Sequence, residues 1–401
     1  MTGETPGLTL FAAVPAVRLA DGRLLLDDKF VSGMALHVAH WPGPVRAVLR
    51  EVPGAGLPFA SPVDPATLPF EVVLLAPGQP LEEGLGQPPG VVLLSADMVE
   101  QLPLAPAARA RGLRVVCGIE YTLGTRLRAA WVEPGRSLPR RLSSMLWNLR
   151  QERHRRAALR RADAIQLNGF PAAQDYGRLG PPALRYLDNR MAAAMLATPA
   201  ETEARRARHA AGAPLRLIHS GRLEPMKGAH LLVPLAQALR AAGVPFGLDI
   251  FGAGSLGSAI AEGIRAGDLA GQVRLHAPVP FETGLVPFSR RSADIFISCH
   301  VQSDPSCSYI EAMGCGLPVV GFANRMLAAL LKDSGGGWCV RMGDIPAMAA
   351  LIGRLDRDRA AVMAAADAAL DYARRHDFEA EFDARMRHLA QVVSARPAAA
   401  A

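Results

Sequence analysis

The chain has 401 residues, half of them hydrophobic and a fifth charged, with a formal net charge of +7. A single core rarely grows past about 250–300 residues, so this length favours two domains. No apolar run approaches ~18 residues, which excludes a membrane-spanning helix. Five scattered cysteines without CxxC spacing speak against a zinc site or a disulfide framework and read as free thiols in a reducing cytoplasm.

In chain order, the first segment lacks a basic stretch and a cleavage pattern, so no signal peptide is expected. Short apolar runs at 8–14, 45–49, 72–75, 91–94, 114–117 and 164–167 alternate with helical spacing or with Pro/Gly punctuation, an α/β pattern. The Pro/Gly-rich stretches 53–69 and 77–90 read as loops. His37 and His40 stand at i and i+3 on a predicted helix after Gly33. They are candidate substrate contacts, or a packed pair beside Trp41, since nothing nearby completes a metal site. Glu120 and Tyr121 follow the strand 114–117 and so fall at a crevice edge, with Arg126 close behind.

Between Arg136 and Arg161 there are nine arginines and one acid, Glu152. Leu142, Met145, Leu146 and Leu149 share that predicted helix at helical spacing, so one apolar stripe is expected to be buried. The plain reading of the charge is a solvated face. The sharper one is attraction to anionic lipid or to a phosphorylated substrate. Nucleic acid is disfavoured, because no aromatic side chains interleave with the arginines.

An Ala-, Arg- and Glu-rich stretch at 191–212 reads as a helical linker between a domain at 1–190 and a second at 213–376. The second half alternates more strictly. Strands are expected at 215–219, 247–251, 273–275, 295–298 and 319–322. Helices are expected at 228–242, 259–266, 309–315, 345–355 and 358–376. Continuous apolar strands in strict alternation mean a parallel, doubly wound sheet. A last helix at 378–393, within 377–401, is expected outside that sheet, packing back on the first domain, ahead of an Ala-rich tail.

Three constellations in this half carry chemistry. The first, SGRLEPMKG, follows the first strand of the domain. Arg222 and Lys227, on a loop with glycine at both ends (Gly221 and Gly228), can close on a diphosphate as a planar fork and a compact charge. They can equally be two surface cations. The second is GAGSLG, Gly252 to Gly257, after a strand and before a helix. It matches a dinucleotide fingerprint but sits at the second βα turn and lacks the downstream ribose-binding acid. A close backbone approach to phosphate or sugar through Gly252 and Gly254, or an ordinary turn, are the readings left. The third is DIFISCHVQSDPSCSYIEAMGCGLPVVGF, from Asp294 to Phe322: strand, polar loop, helix, strand. Its crevice opens where a helix N-terminus presents N–H groups to phosphate. By itself, Ser308 with Glu311 fits an S-x-x-E capping box, and Cys307 and Cys315 read as packed small hydrophobes.

Taken together, SGRLEPMKG, DIFGAGSLG, VRLHAPVP and SCSYIEAMGCGLPVVGF, in this order and at these separations, resemble the C-terminal domain of family 4 glycosyltransferases. The resemblance covers about residues 214–345. LDDKFVSGMALHVAHWPGPV and IEYTLGTR in the first half also look like a bacterial subgroup of that family. The resemblance implies a GT-B fold: two Rossmann-like domains with parallel doubly wound sheets facing across a cleft. It implies retaining, metal-independent transfer from a nucleotide-sugar to an acceptor, with no cofactor. Arg222 and Lys227 would hold the donor diphosphate, and Glu311, the second glutamate of an E-x7-E motif, the ribose. The Gly252–Gly254 loop and Pro278 with its neighbours would line the nucleotide pocket. Ser306, Cys307 and Ser308 would lie at the donor. The first glutamate of the motif is replaced by Ser303, with Asp304 beside it, so either of these residues would meet the sugar. Gly33, His37, Glu120, Tyr121 and Arg126 would face the acceptor.

Two further readings compete with that one. Ser303 in place of a glutamate allows a non-catalytic nucleotide-sugar-binding subunit. An epimerase of the same fold is a third, less compatible with the SGR…KG and SCSYIEAM pair. The expected location is the cytoplasm, with peripheral contact to an anionic membrane through residues 136–161.

Overall fold

The computed structural model describes residues 5–54, 57, 60–132, 135–303 and 305–395. Nine strands form the first sheet: β1 (Gly7–Arg18), β2 (Leu24–Asp27), β3 (Val45–Glu51), β4 (Ala60–Val63), β5 (Glu71–Leu75), β6 (Gly90–Ser95), β7 (Arg114–Ile119), β8 (Ala164–Asn168) and β9 (Ala183–Tyr186). Seven run parallel in the order β5-β3-β1-β6-β7-β8-β9, while β2 pairs antiparallel with β1 and β4 with β2. The helices between them are α1 (Asp28–His40), α2 (Leu104–Ala110), α3 (Leu123–Val132), α4 (Leu138–Arg161) and α5 (Gly169–Tyr176).

The second sheet is wholly parallel, in the order β12-β11-β10-β13-β14-β15. Its strands are β10 (Leu215–Ser220), β11 (Phe246–Phe251), β12 (Val273–His276), β13 (Ile295–Ser298), β14 (Val319–Phe322) and β15 (Gly337–Val340). Around it lie α6 (Pro199–Ala210), α7 (Leu232–Ala241), α8 (Gly257–Ala266), α9 (Val286–Ser292), α10 (Cys307–Gly314), α11 (Arg325–Ser334), α12 (Ile345–Arg357) and α13 (Arg359–Arg375). Its central strands read as continuous apolar runs because both faces are covered. Leu217, Ile295 and Ile297 enter one core, and Ile218 and Phe296 the other. Strand order reverses between β1 and β6 in the first sheet and between β10 and β13 in the second. A crevice opens at each reversal, beyond the carboxyl ends of the strands.

Several expectations change. β4 falls inside the stretch read as a loop, and its antiparallel pairing departs from the all-parallel expectation. Pro62 and the absence of apolar alternation in Ala-Ser-Pro-Val conceal it, as befits an edge strand. β2, β9, β15, α9 and α11 were not foreseen from periodicity. The predicted helix 228–242 opens with a separate 3-10 turn, Ala229–Leu231, before α7.

Within the stretch 191–212, α6 is no free linker. Arg205, fully buried, donates to the carbonyls of Ala293 (3.0 Å), Gly316 (2.6 Å), Arg290 (2.9 Å) and Cys315 (3.1 Å), fastening the helix to the second domain. The final helix, α14 (Phe378–Ser394), returns to the first domain. Phe382, Met386 and Leu389 are buried there with Leu8, Val91 and Val116.

The largest departure is α4. Leu142, Leu146 and Leu149 are 45–59% exposed, while Asn148, Glu152 and Arg155 are buried. Three of the four residues of the expected buried stripe are on the outside, and Met145 is half-buried. The stripe's place is taken by an ionic network in which Glu152 meets Arg155, Arg156 and Arg126 and accepts from the Tyr176 hydroxyl at 3.3 Å.

Candidate active site

The loop after β10 is held by close backbone packing. A Cβ on Gly252 would stand 1.9 Å from the Gly221 carbonyl oxygen, and Gly252 has φ +149°. Only glycine fits, but the partner is the neighbouring loop and not a ligand surface. Gly228, with φ +66°, lies so close to the Cys299 carbonyl that a Cβ would approach to 1.8 Å. Leu223 N–H donates to the Ala253 carbonyl at 2.9 Å. Glu224 accepts from the Ser255 N–H (2.8 Å) and hydroxyl (2.6 Å), and these bonds hold its carboxyl below the usual range. Two loops thus fix the backbone that carries Arg222 and Lys227.

Facing that loop is the start of α10. Its N-cap is Ser306, whose hydroxyl lies 2.7 Å from that of Ser308. The capping box expected between Ser308 and Glu311 does not form, since Ser308 is already inside the helix. Glu311 lies three residues further in, 6% exposed, and takes a two-pronged bond from Arg190: Nε to Oε1 at 2.8 Å and Nη2 to Oε2 at 3.2 Å. The Arg190 guanidinium also stacks 4.1 Å above the Phe281 ring.

Behind the groove is a buried polar cluster. Ser298 and Asn324 donate to the Tyr309 hydroxyl at 3.1 and 3.4 Å, and His300 Nδ1 lies 3.2 Å from it. His300 lines the groove, is 1% exposed, and its Nε2 has no hydrogen-bond partner among the described residues. Burial holds this imidazole well below its ordinary pKa, so it is neutral. Burial also pushes the Cys307 thiol up to about 12, which removes it as a nucleophile near neutral pH.

These elements enclose a groove of about 280 Å³. Arg222, Lys227, Gly221 and Glu311 line it with Ser306, Cys307 and Ser308. Glu120 and Tyr121 line it from the first domain. Glu120 also borders a larger cavity of about 460 Å³ at the reversal between β1 and β6, shared by Gly33, His37, Lys29 and Asp97. His37 Nδ1 lies 2.8 Å from the Gly33 carbonyl, and burial lowers its pKa to about 4. His40 instead pairs with Asp383 at 2.8 Å.

Other expected residues fall elsewhere. Gly252 and Gly254 pack against the loop after β10, and Pro278 is exposed outside the groove. Ser303 turns its hydroxyl to the Arg325 N–H at 3.0 Å, outside the groove. Asp304 lies outside the described residues. Arg126 lines neither cavity. It pairs with Asp97, whose carboxylate accepts from the N–H groups of Glu120 (2.8 Å) and Tyr121 (3.2 Å), and so it fixes the strand end and contacts no ligand space.

Sequence reasoning missed Arg190, His300 and Arg385. His300 stands two residues past β13, where the crevice rule points. Arg190 and Arg385 had no such signal, because each reaches its site from a distant part of the chain. Arg385, on α14, lies over the Tyr186 ring at 4.4 Å and closes one side of the larger cavity.

Residues 214–358 match the family described as Glycosyl transferases group 1. The amylovoran biosynthesis glycosyltransferase AmsK of Erwinia amylovora is 29% identical over 188 residues, 45% of this chain and 44% of that protein. The putative colanic acid biosynthesis glycosyltransferase WcaL of Salmonella typhimurium is 27% identical over 154 residues, 37% of each. The chain therefore spans less than half the length of the curated relatives it matches. Among solved structures, Anabaena HepE in complex with UDP superposes with a TM-score of 0.63 at 15% identity, covering 96% of this chain and 99% of that one. That likeness shows the fold, GT-B: two Rossmann-like domains facing across a cleft.

Proposed function

We propose that the protein is a retaining, metal-independent glycosyltransferase that takes a sugar from a nucleoside-diphosphate-sugar and needs no cofactor. The observation that carries this reading is one groove in which Arg222 and Lys227 stand with Glu311 and, from the other domain, Glu120 and Tyr121. The leaving diphosphate gains negative charge as the glycosidic bond breaks. Two cations and the first N–H groups of α10 meet that charge without reorganising. Glu311 takes the ribose hydroxyls on the carboxylate lone pairs that Arg190 leaves open. The leaving phosphate takes the acceptor proton, and the acceptor enters through the cavity bounded by Gly33, His37 and Glu120.

Ser303 and Asp304 stand where the resemblance places a sugar-binding glutamate. With the Ser303 hydroxyl held by Arg325, the sugar falls to Ser306, Ser308 and His300. The relatives named for amylovoran and colanic acid biosynthesis favour a saccharide under assembly as acceptor. We place the reaction in the cytoplasm, at an anionic membrane face approached by residues 136–161. Turnover of a nucleotide-sugar panel tests the assignment. Arg222→Ala and Lys227→Ala are each expected to cut turnover at least ~100-fold, comparable to losing an oxyanion donor, with the circular dichroism spectrum unchanged. Intact activity in both removes the proposed roles.

A second reading, a nucleotide-sugar-binding subunit without turnover, is favoured only by the diversion of Ser303 to Arg325. Tight nucleotide binding by calorimetry, with no transfer or hydrolysis across the panel, would select it.

A further inference from the structure

The hairpin made by α3 and α4 has its polarity reversed. α4 spends polar side chains on the interior, where Glu152 and Arg155 are buried, and leaves Leu138, Leu142, Leu146, Trp147 and Leu149 in solvent at 45–62% exposure. Trp131, at the end of α3, is 45% exposed. Six of the nine large hydrophobic side chains exposed among the described residues therefore lie on this one hairpin, whereas isolated exposed leucines would need no explanation. At 100° per residue the four leucines fall within about 80° of arc on α4. Arg153 and Arg160, both exposed, continue the same line toward the C-terminal end, and Arg140 flanks the apolar end.

We propose that this hairpin is a membrane-interfacial anchor: its leucine crest enters the outer part of an anionic lipid leaflet, while the arginines and Trp147, about 100° round the helix from Leu146, lie at the headgroups. An apolar crest bordered by cations, with tryptophans at the boundary, is the composition that such an interface selects. Charge decides the occupant. In a second copy docked face to face, the exposed arginines of α4, Arg140, Arg150, Arg153 and Arg160 among them, would confront their own copies while Glu152 stays buried, a like-charge contact. Anionic lipid is complementary to both the charge and the apolar area.

The anchor's root is at the cleft. Tyr121 lines the groove, α3 begins two residues later, and its ten residues cover about 15 Å. A docked hairpin would set the groove roughly one helix length from the lipid surface. If the glycosyl-transfer reading above holds, an acceptor tethered in that leaflet could reach the cavity beside Glu120.

The test uses the full chain with phosphatidylcholine vesicles, with and without phosphatidylglycerol. The expected result is co-sedimentation only with phosphatidylglycerol, with a blue shift of tryptophan emission. Trp41 is buried and Trp338 packs half-buried against the core of the second domain, so the shift reports mainly on Trp131 and Trp147, and a Trp131→Phe/Trp147→Phe variant should lose it while still binding. Leu142→Ser/Leu146→Ser should weaken binding at least ~10-fold with thermal stability unchanged, because both side chains are exposed. Three results would overturn the proposal: no sedimentation with phosphatidylglycerol; sedimentation indifferent to the leucine pair and abolished by salt, which leaves the arginines alone; or a dimer in light scattering that the leucine variant dissolves. Nucleotide-dependent thermal stabilisation needs no lipid, so failure of this proposal and failure of the transfer reading give separate signatures.

Discussion

His300 illustrates how a single side chain can be committed in advance to a ligand. Its Nδ1 side is anchored at the Tyr309 hydroxyl, its ring is buried, and its Nε2 is left without a partner beside Arg222 and Lys227. A buried polar atom without a bond costs about 1–3 kcal/mol, which a ligand contact can recover. His300→Phe should therefore leave the protein folded, or slightly more stable, and weaken binding of the nucleotide-sugar by about 5–10-fold, the worth of one net hydrogen bond. Isothermal calorimetry on the variant measures this, and unchanged affinity would place the His300 ring outside the donor contact. Arg190 makes the opposite point. Its fork on Glu311 and its stacking on Phe281 join the connection between the two sheets to the helix of the groove, and no local pattern announces it.

At the scale of elements, hydrophobic period and turn residues located the strands that are buried on both faces. β10, β13 and β14 were legible because short apolar-rich runs, such as Ile295–Ile297 and the pair Val319 and Val320, stand between turn signals. α4 was legible as a helix, but its inward face was not. Periodicity reports where apolar side chains align and cannot report that an ionic network has claimed the interior. α6 shows the same limit. It was legible as helical, yet its attachment rests on Arg205 and four carbonyls that are 85 to 111 residues away in sequence. Arg205→Leu would leave those carbonyls buried without a donor. A loss of about 3 kcal/mol or more is expected, read as a lower urea midpoint at unchanged slope. A loss under about 1 kcal/mol would mean that water replaces the guanidinium.

The whole molecule carries neutral histidines in both domains: His219 and His300 are fully buried and His37 is half-buried. His37 titrates at about 4, and His219 and His300 are held below 6.5, in each case chiefly by burial. Below pH 6.5 the unfolded chain takes up protons that the folded chain refuses. Stability is thus fully present above about pH 6.5 and falls as pH drops toward 4. Melting temperature should be flat from about pH 8 to 7 and decline through that window. His37→Asn should remove the share of the decline that belongs to His37, leaving that of His388, which burial also lowers, and of the second domain. A melting temperature that holds down to pH 4.5 would show that these rings do titrate normally in the folded state.

What the sequence by itself determined was the α/β class, two doubly wound units, and the groups that end at a strand's carboxyl edge: Arg222, Lys227, Glu311, Glu120 and Tyr121. Each is governed by spacing within one short segment, and the strand-loop-helix rule converts that spacing into position. Only the tertiary structure decided that Glu311 meets Arg190 and forms no capping box, that Gly252 packs on Gly221, that Arg126 stands outside both cavities and braces Asp97, and that α4 wears its leucines outside. Those outcomes depend on contacts between segments that are about 30 to 120 residues apart. There, competition for a buried site among charge, volume and backbone carbonyls is settled by which groups meet, and a local pattern contains no information about the partner.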